Sequence, residues 1–307
     1  MNGRELYQAI YSGDEFDRLP ISGIGGWTET LERWRREGLG PDESPNEATD
    51  LVSDDTVSLK LNLNMDPLFD IRILEEGERH VTLVDEYGVT KKMMQADYVR
   101  SGGKMGEAGA TSGMSHWLDF PVKDMDSWKE IFEERFQAGS AGRQLYESDE
   151  QKGEAKTLAE ERWVQHFSFP FGGLFSAVRQ LMGLEGAVFA MADDPELVHT
   201  IVTDLSGFYS EAYATLVPEY RLDKVTCFED MCSNRAPLLS PAMFNEFFAP
   251  GYRKYLGDLK DMGVNQVFID TDGDCRLMIP ELIACGFTGL HPCEIKAGMD
   301  PRLILDA

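Results

Sequence analysis

From residue 163 onward the chain repeats one rhythm: a short apolar run, a turn, then a stretch with helical periodicity. "WVQHFSF" leads to "GGLFSAVRQLMG". "DKVTCF" leads to a helix at 240–248, "NQVFI" to "RLMIPELIACG", and "FTGLH" to the start of a last helix at Asp300. Strands covered on both faces read as continuous apolar runs, and helices between them impose parallel pairing. The rhythm starts after Ser115, where "HWLDFPV" precedes a helix from Ser127 to Phe136. "DPELVHTIVTDLSGFYSEAYATLV" reads as one long helix opened by Asp194 and Pro195. The helix at 240 has the fullest start signal: Ser240 as N-cap, Pro241 in the first turn, and Phe244, Phe247 and Phe248 on one face. A doubly wound sheet and a (β/α)8 barrel both fit this order. A doubly wound nucleotide binder carries GxGxxG or a P-loop after a strand. Neither occurs here, so the expected fold class is α/β, a (β/α)8 TIM barrel.

The first third differs. Residues 4–12 read as a helix, "RLPISGIGGW" as a short strand entering a glycine-rich loop, and "TETLERWRREGLG" as a helix capped by Thr28 and ended by Gly38. "VSLKLNLNMD" and "HVTLVDEYGVTKK" alternate with period two, with Gly77 and Gly88 at turns. They predict an antiparallel hairpin excursion over 57–100, set within a single barrel domain spanning 1–307.

Charge and cysteine usage narrow the function classes. The net charge of −25 opposes binding to phosphate backbones and anionic lipid, so neither nucleic acid nor membrane is an expected partner. No run approaches the ~20 apolar residues of a membrane helix. The start "MNGRELYQAI" lacks a signal-peptide pattern, and a cytoplasmic location is expected. Cys227, Cys232, Cys275, Cys285 and Cys293 are odd in number and form no CxxC pair, which fits reduced thiols better than disulfides or a structural zinc site.

Barrel chemistry sits on the loops at the C-terminal ends of the strands. Glu229 and Asp230 follow "VTCF". Asp270 and Asp272 follow "QVFI". His291 follows "TGL", with Cys293 and Glu294 just beyond. Three successive strand ends thus aim acids or a histidine at one rim. Crowded acids cost energy unless a ligand, a metal or a shared proton offsets them. Each position also has a plainer reading: Asp272-Gly273 suits a turn, Glu229 and Asp230 suit a cap or solvated loop, and His291 before Pro292 suits packing. Arg179, behind Gly172 and Gly173, and Arg235 are candidates for holding a substrate carboxylate, and Trp27 for lining the pocket. Arg276 can pair with Asp272 or Asp274, while His116 and His166 read as packing residues.

The segments "DRLPISGIGGWTETLERWRREGL" (17–39), "FPFGGLFSAVRQLMGLEGAVFAMADDPELVHTIV" (169–202), "FEDMCSNRAPLLSPAMFNEFFAPGYRKYL" (228–256) and "VFIDTDGDCRLMIPELIACGFTGLHPCEIKAGMD" (267–300) resemble the uroporphyrinogen decarboxylase superfamily, which also holds corrinoid-linked methyltransferases. The resemblance implies a (β/α)8 barrel, a small-molecule substrate and a homodimer. It implies one of two chemistries. The first is decarboxylation without a cofactor, by a carboxy-lyase using Asp270, Asp272, Glu229, Asp230 or Glu294. The second is methyl transfer with a corrinoid protein as partner and zinc held by Asp272, His291, Cys293 or Glu294. A third expectation is a ligand-binding barrel without catalysis.

The chain departs from both paradigms. Uroporphyrinogen decarboxylases carry an arginine-rich "RQAGR"-like segment where this chain has Gly25-Gly26-Trp27, and Asp66 is only a loose match to their catalytic aspartate. An acidic rim would also repel an octa-acid substrate, so uroporphyrinogen itself is a poor expectation. The methyltransferases place His-x-Cys where this chain has Asp270-x-Asp272, which removes a soft thiolate ligand. The resemblance further implies a chain continuing past "AGMDP", so the last βα units are expected outside 1–307.

Overall fold

The computed structural model describes residues 1–20, 28–48, 55–100 and 115–305. In chain order its elements are α1 (Gly3–Ser12), α2 (Thr28–Glu37), α3 (Pro45–Ala48), β1 (Thr56–Ser58), β2 (Arg72–Glu76), β3 (His80–Val84), β4 (Thr90–Met94), α4 (Gln95–Arg100), β5 (His116–Asp119), α5 (Met125–Arg135), α6 (Asp149–Glu161), β6 (Trp163–Ser168), α7 (Leu174–Asp193), α8 (Pro195–Tyr220), β7 (Lys224–Phe228), α9 (Pro241–Phe247), α10 (Ala249–Asp261), β8 (Gln266–Asp270), α11 (Ile279–Cys285), β9 (Gly289–His291) and α12 (Pro301–Leu305). They form a mixed α/β chain with two sheets, one of five strands in the order β1-β6-β7-β8-β9 and one of four in the order β2-β3-β4-β5.

The chain divides into two compact units. The first comprises Met1–Thr56 and Leu68–Pro121. In it β2 to β5 pair antiparallel in sequence order. One face of the meander buries Val81, Leu83 and Met93, with Tyr98 packed beside them. The turn between β3 and β4 is fixed by Asp85, whose Oδ1 accepts the amides of Tyr87 and Val89. Gly88 supplies the positive φ of 78° that closes the turn.

The second unit comprises Val57–Pro67 and Val122–Ala307 and carries the strand–helix repeat. β6, β7, β8 and β9 pair parallel, with Val225 beside Val267, Cys227 beside Ile269, and Phe228 beside Asp270. Period two splits these strands into two faces. Val225, Cys227, Val267 and Ile269 are 0–3% exposed and form the helix-side face. There His166 is held between the Tyr213 hydroxyl of α8, 2.6 Å away, and the Leu61 carbonyl, 2.9 Å away. Its buried imidazole is pushed down to about 4, which matches the packing role expected for it. The opposite face carries Lys224, Thr226 and Phe228 on β7, Gln266, Phe268 and Asp270 on β8, and His291 on β9.

Two expectations shift. "VSLKLNLNMD" is not a hairpin arm. Its first residues form β1 beside β6, and its alternating Leu59, Leu61, Leu63 and Met65 are 0–4% exposed within the second unit. Buried Arg143 stitches it down by donating to the carbonyls of Asn62, Asn64, Arg135 and Gln137, with its guanidinium 4.5 Å from the Phe208 ring centroid. The second shift concerns "HWLDFPV", which forms β5 of the antiparallel sheet instead of a strand of the parallel one. No helix among the described residues is long and apolar enough to cross a membrane.

Candidate functional site

Three strand ends do bring acids together, but not all those expected. Phe228 pairs with Asp270 across β7 and β8, so both point to the same face. Glu229 is one residue further and turns the other way. It is fully buried, and its carboxylate accepts the amides of Phe175 and Ser176 at 2.7 and 2.8 Å, where α7 begins, together with the Tyr252 hydroxyl. A carboxylate on free N–H groups at a helix start is a favourable cap. Burial pushes this carboxyl above the ordinary range and the three donors pull against that rise. Gly173 makes the approach possible, because a Cβ there would lie 2.0 Å from the Phe228 carbonyl oxygen. Glu229 therefore anchors α7 to β7 instead of facing the hollow.

Asp230 remains at the rim but is paired. Arg179 donates to its carboxylate and to its backbone carbonyl, both at 2.8 Å. That contact occupies the guanidinium expected to bind substrate. Arg235 is exposed on the turn 233–236. Trp27 lies outside the described residues. Asp274 is gripped by Arg276 at 2.9 and 2.7 Å, which holds its carboxyl below the ordinary range. Asp66 accepts from the Ser140 hydroxyl.

The residues that share a cavity are Asp270, His291 and Lys224, with Gln165, Phe167 and Thr226 around them; its volume is about 240 Å³. Sequence reasoning missed Lys224. It opens β7, at the opposite end of that strand from Phe228, yet its side chain lies along the open face with Nζ 4.3 Å from the Phe268 ring centroid. The alternation Lys224, Thr226, Phe228, in register with Gln266, Phe268, Asp270, is the signal that could have found it. Asp270 is half-buried and its carboxyl is pushed up to about 6, first by burial, then by the neighbouring charges of Asp272 and Asp230, against the pull of Lys224. His291 Nδ1 is 3.6 Å from Asp270 Oδ1. Burial and the charge of Lys224 both lower the His291 pKa, which favours neutral imidazole. Asp272 is exposed and raised by partial burial, Asp230 and Glu294.

The zinc alternative rested on Asp272, His291, Cys293 and Glu294. Among the described residues no group of three His, Cys, Asp or Glu side chains is placed to hold a metal ion. Glu294 accepts the Gly273 amide at 2.9 Å, and Cys293 lines a separate apolar groove with Ile279, Leu282 and Leu290. This donor set does not fit a zinc site. All five cysteines are free thiols.

No protein-family model matches the sequence. No curated protein matches it either. Among solved structures, a methyltransferase from Methanosarcina mazei superposes with a TM-score of 0.51 at 12% identity, over 97% of this chain and 80% of that one. At that identity the likeness is one of fold. The parallel five-stranded sheet with its helices, and the cavity on its open face, lie within the chain that this fold covers.

Proposed function

We propose that the chain is a methyltransferase-type enzyme in which Asp270, seated beside His291, deprotonates the methyl acceptor. Two things support the reading: the fold likeness to a methyltransferase over nearly the whole chain, and a carboxyl near 6 in a hollow with a neutral imidazole. The second carries the chemistry. A general base works best when its pKa lies close to the operating pH, and Asp270 meets that condition. In the step proposed, the acceptor gives its proton to the Asp270 carboxylate. The freed electron pair forms a bond to the methyl carbon, and the carbon–donor bond breaks with its electrons staying on the donor. The donor suggested by the sequence resemblance is a methylated corrinoid protein. No step runs through zinc, because the residues present do not fit it.

A second reading is cofactor-free decarboxylation of a small carboxylate. The placement of Lys224 and Asp270 in one hollow favours it, since one group can hold the carboxylate while the other, in its protonated form, protonates the carbon. The hollow of about 240 Å³ is smaller than the ~300–1,000 Å³ of sites for drug-sized ligands. That disfavours uroporphyrinogen as the substrate of this second reading.

Free methylcobalamin with a panel of thiol and amine acceptors tests the proposal. The expected result is loss of the methylcobalamin spectrum, slowed about 10²- to 10⁴-fold in Asp270→Asn. Carbon dioxide release from small carboxylates without methyl transfer would replace it with the second reading.

A further inference from the structure

Lys224 is the one charged group of the hollow that the methyl-transfer reading leaves unused. It is half-buried, it opens a strand, and it lines the hollow together with Asp270 and His291. Its ammonium rests on the Phe268 ring and makes no ion pair or hydrogen bond among the described residues. The charged or titratable groups facing it are Asp270 from β8 and His291 from β9. The remaining titratable lining residue, His166 from β6, has both ring nitrogens engaged by Tyr213 and Leu61. Lysine keeps its proton in water, but burial disfavours the charged form and leaves more free amine, the nucleophilic state. Burial lowers the Lys224 pKa here, and Asp270 opposes the shift in part.

We propose that Lys224 is a carbonyl-capturing nucleophile, its amine condensing inside this hollow with an aldehyde or ketone substrate to give an iminium. The neutral amine forms a bond to the carbonyl carbon and the π electrons move to oxygen. Protonated Asp270 gives that oxygen its proton. The nitrogen, now bearing a positive charge, passes one proton to neutral His291, which returns it to the same oxygen as the carbon–oxygen bond breaks. Water leaves, and the iminium cation stays beside the Asp270 carboxylate. Charge and protons balance without any oxidant or co-reactant.

This inference uses the same hollow as the methyl-transfer reading but does not depend on it. The test is reductive trapping on the full chain: a short pulse of glyoxylate with sodium cyanoborohydride at neutral pH, followed by peptide mass mapping. The expected result is a secondary amine on Lys224 ahead of exposed lysines such as Lys129 and Lys260, and loss of that label alone in Lys224→Arg. Circular dichroism of Lys224→Arg and Lys224→Met checks that both fold. The wild-type map stands even if neither does. Labelling of Lys224 no faster than the exposed lysines would overturn the inference. Methylcobalamin turnover measured on the same preparation separates the two readings: trapping without methyl transfer sinks only the latter, and methyl transfer without trapping sinks only the former.

Discussion

Asp270 illustrates how one residue links position, proton affinity and stability. Its place at the end of β8 crowds it against Asp230 and Asp272 and half-buries it, so its carboxyl rises from an ordinary 3.8 to about 6. The folded state then binds this proton more tightly than the unfolded chain does. Stability contributed by the group is fully present below about pH 4 and is lost as pH climbs through about 6. Asp270→Asn removes that loss. Its melting temperature, compared with wild type, should therefore improve from pH 4 to pH 7, and an offset that stays constant with pH would contradict the assignment. Glu229 behaves differently because its neighbours satisfy it. Glu229→Ala strands the amides of Phe175 and Ser176 and the hydroxyl of Tyr252, a loss on the order of 3 kcal/mol in urea unfolding, with Glu229→Gln milder. A loss near zero for the alanine variant would show that α7 does not need this cap. Both acids were visible in the sequence as strand-end carboxylates. What separated them was parity: Phe228 and Asp270 share a face, so Glu229 had to turn toward the helices. The pairing register needed to see that is not written in either strand alone.

At the scale of elements, β6 to β9 and their helices were legible because apolar runs and helix start signals agree with each other. The Ser240 cap is an instance: its hydroxyl accepts the Met243 amide at 3.2 Å, as the local sequence asks. "VSLKLNLNMD" was misleading because alternation describes any strand-like segment with one covered face. The partners that cover it come from Arg143 and β6, some 80 to 100 residues later in the chain. β5 went astray for a related reason, since its apolar residues Trp117 and Leu118 are about half exposed and do not mark a buried strand. Arg143 tests the stitching. Arg143→Ala removes the donor to four carbonyls, at a cost on the order of 3 kcal/mol. Hydrogen exchange should speed up at the amides of Asn62 and Asp66, which bond to the carbonyls of Arg143 and Arg135. Unchanged exchange at those amides would show that β6 alone holds the segment.

For the whole molecule, the excess of 54 acidic over 29 basic residues sets the background field. Self-repulsion at a net charge of −25 opposes compaction, and salt screens it over a Debye length of about 10 Å at 0.1 M. The melting temperature should rise with moderate sodium chloride, and a fall would mean that attractive pairs such as Arg179–Asp230 outweigh the repulsion. Against that field the open sheet face sets one basic side chain, Lys224, in the same hollow as Asp270, whose carboxyl is raised to about 6, and this pairing is what makes the hollow chemically distinctive. The pH–rate profile of methyl transfer from methylcobalamin tests the account most directly. The account predicts a rate that rises through an apparent pKa of about 6 and loses that limb in Asp270→Asn. A wild-type profile that is flat across pH 5 to 8, or a limb that survives the substitution, would contradict it.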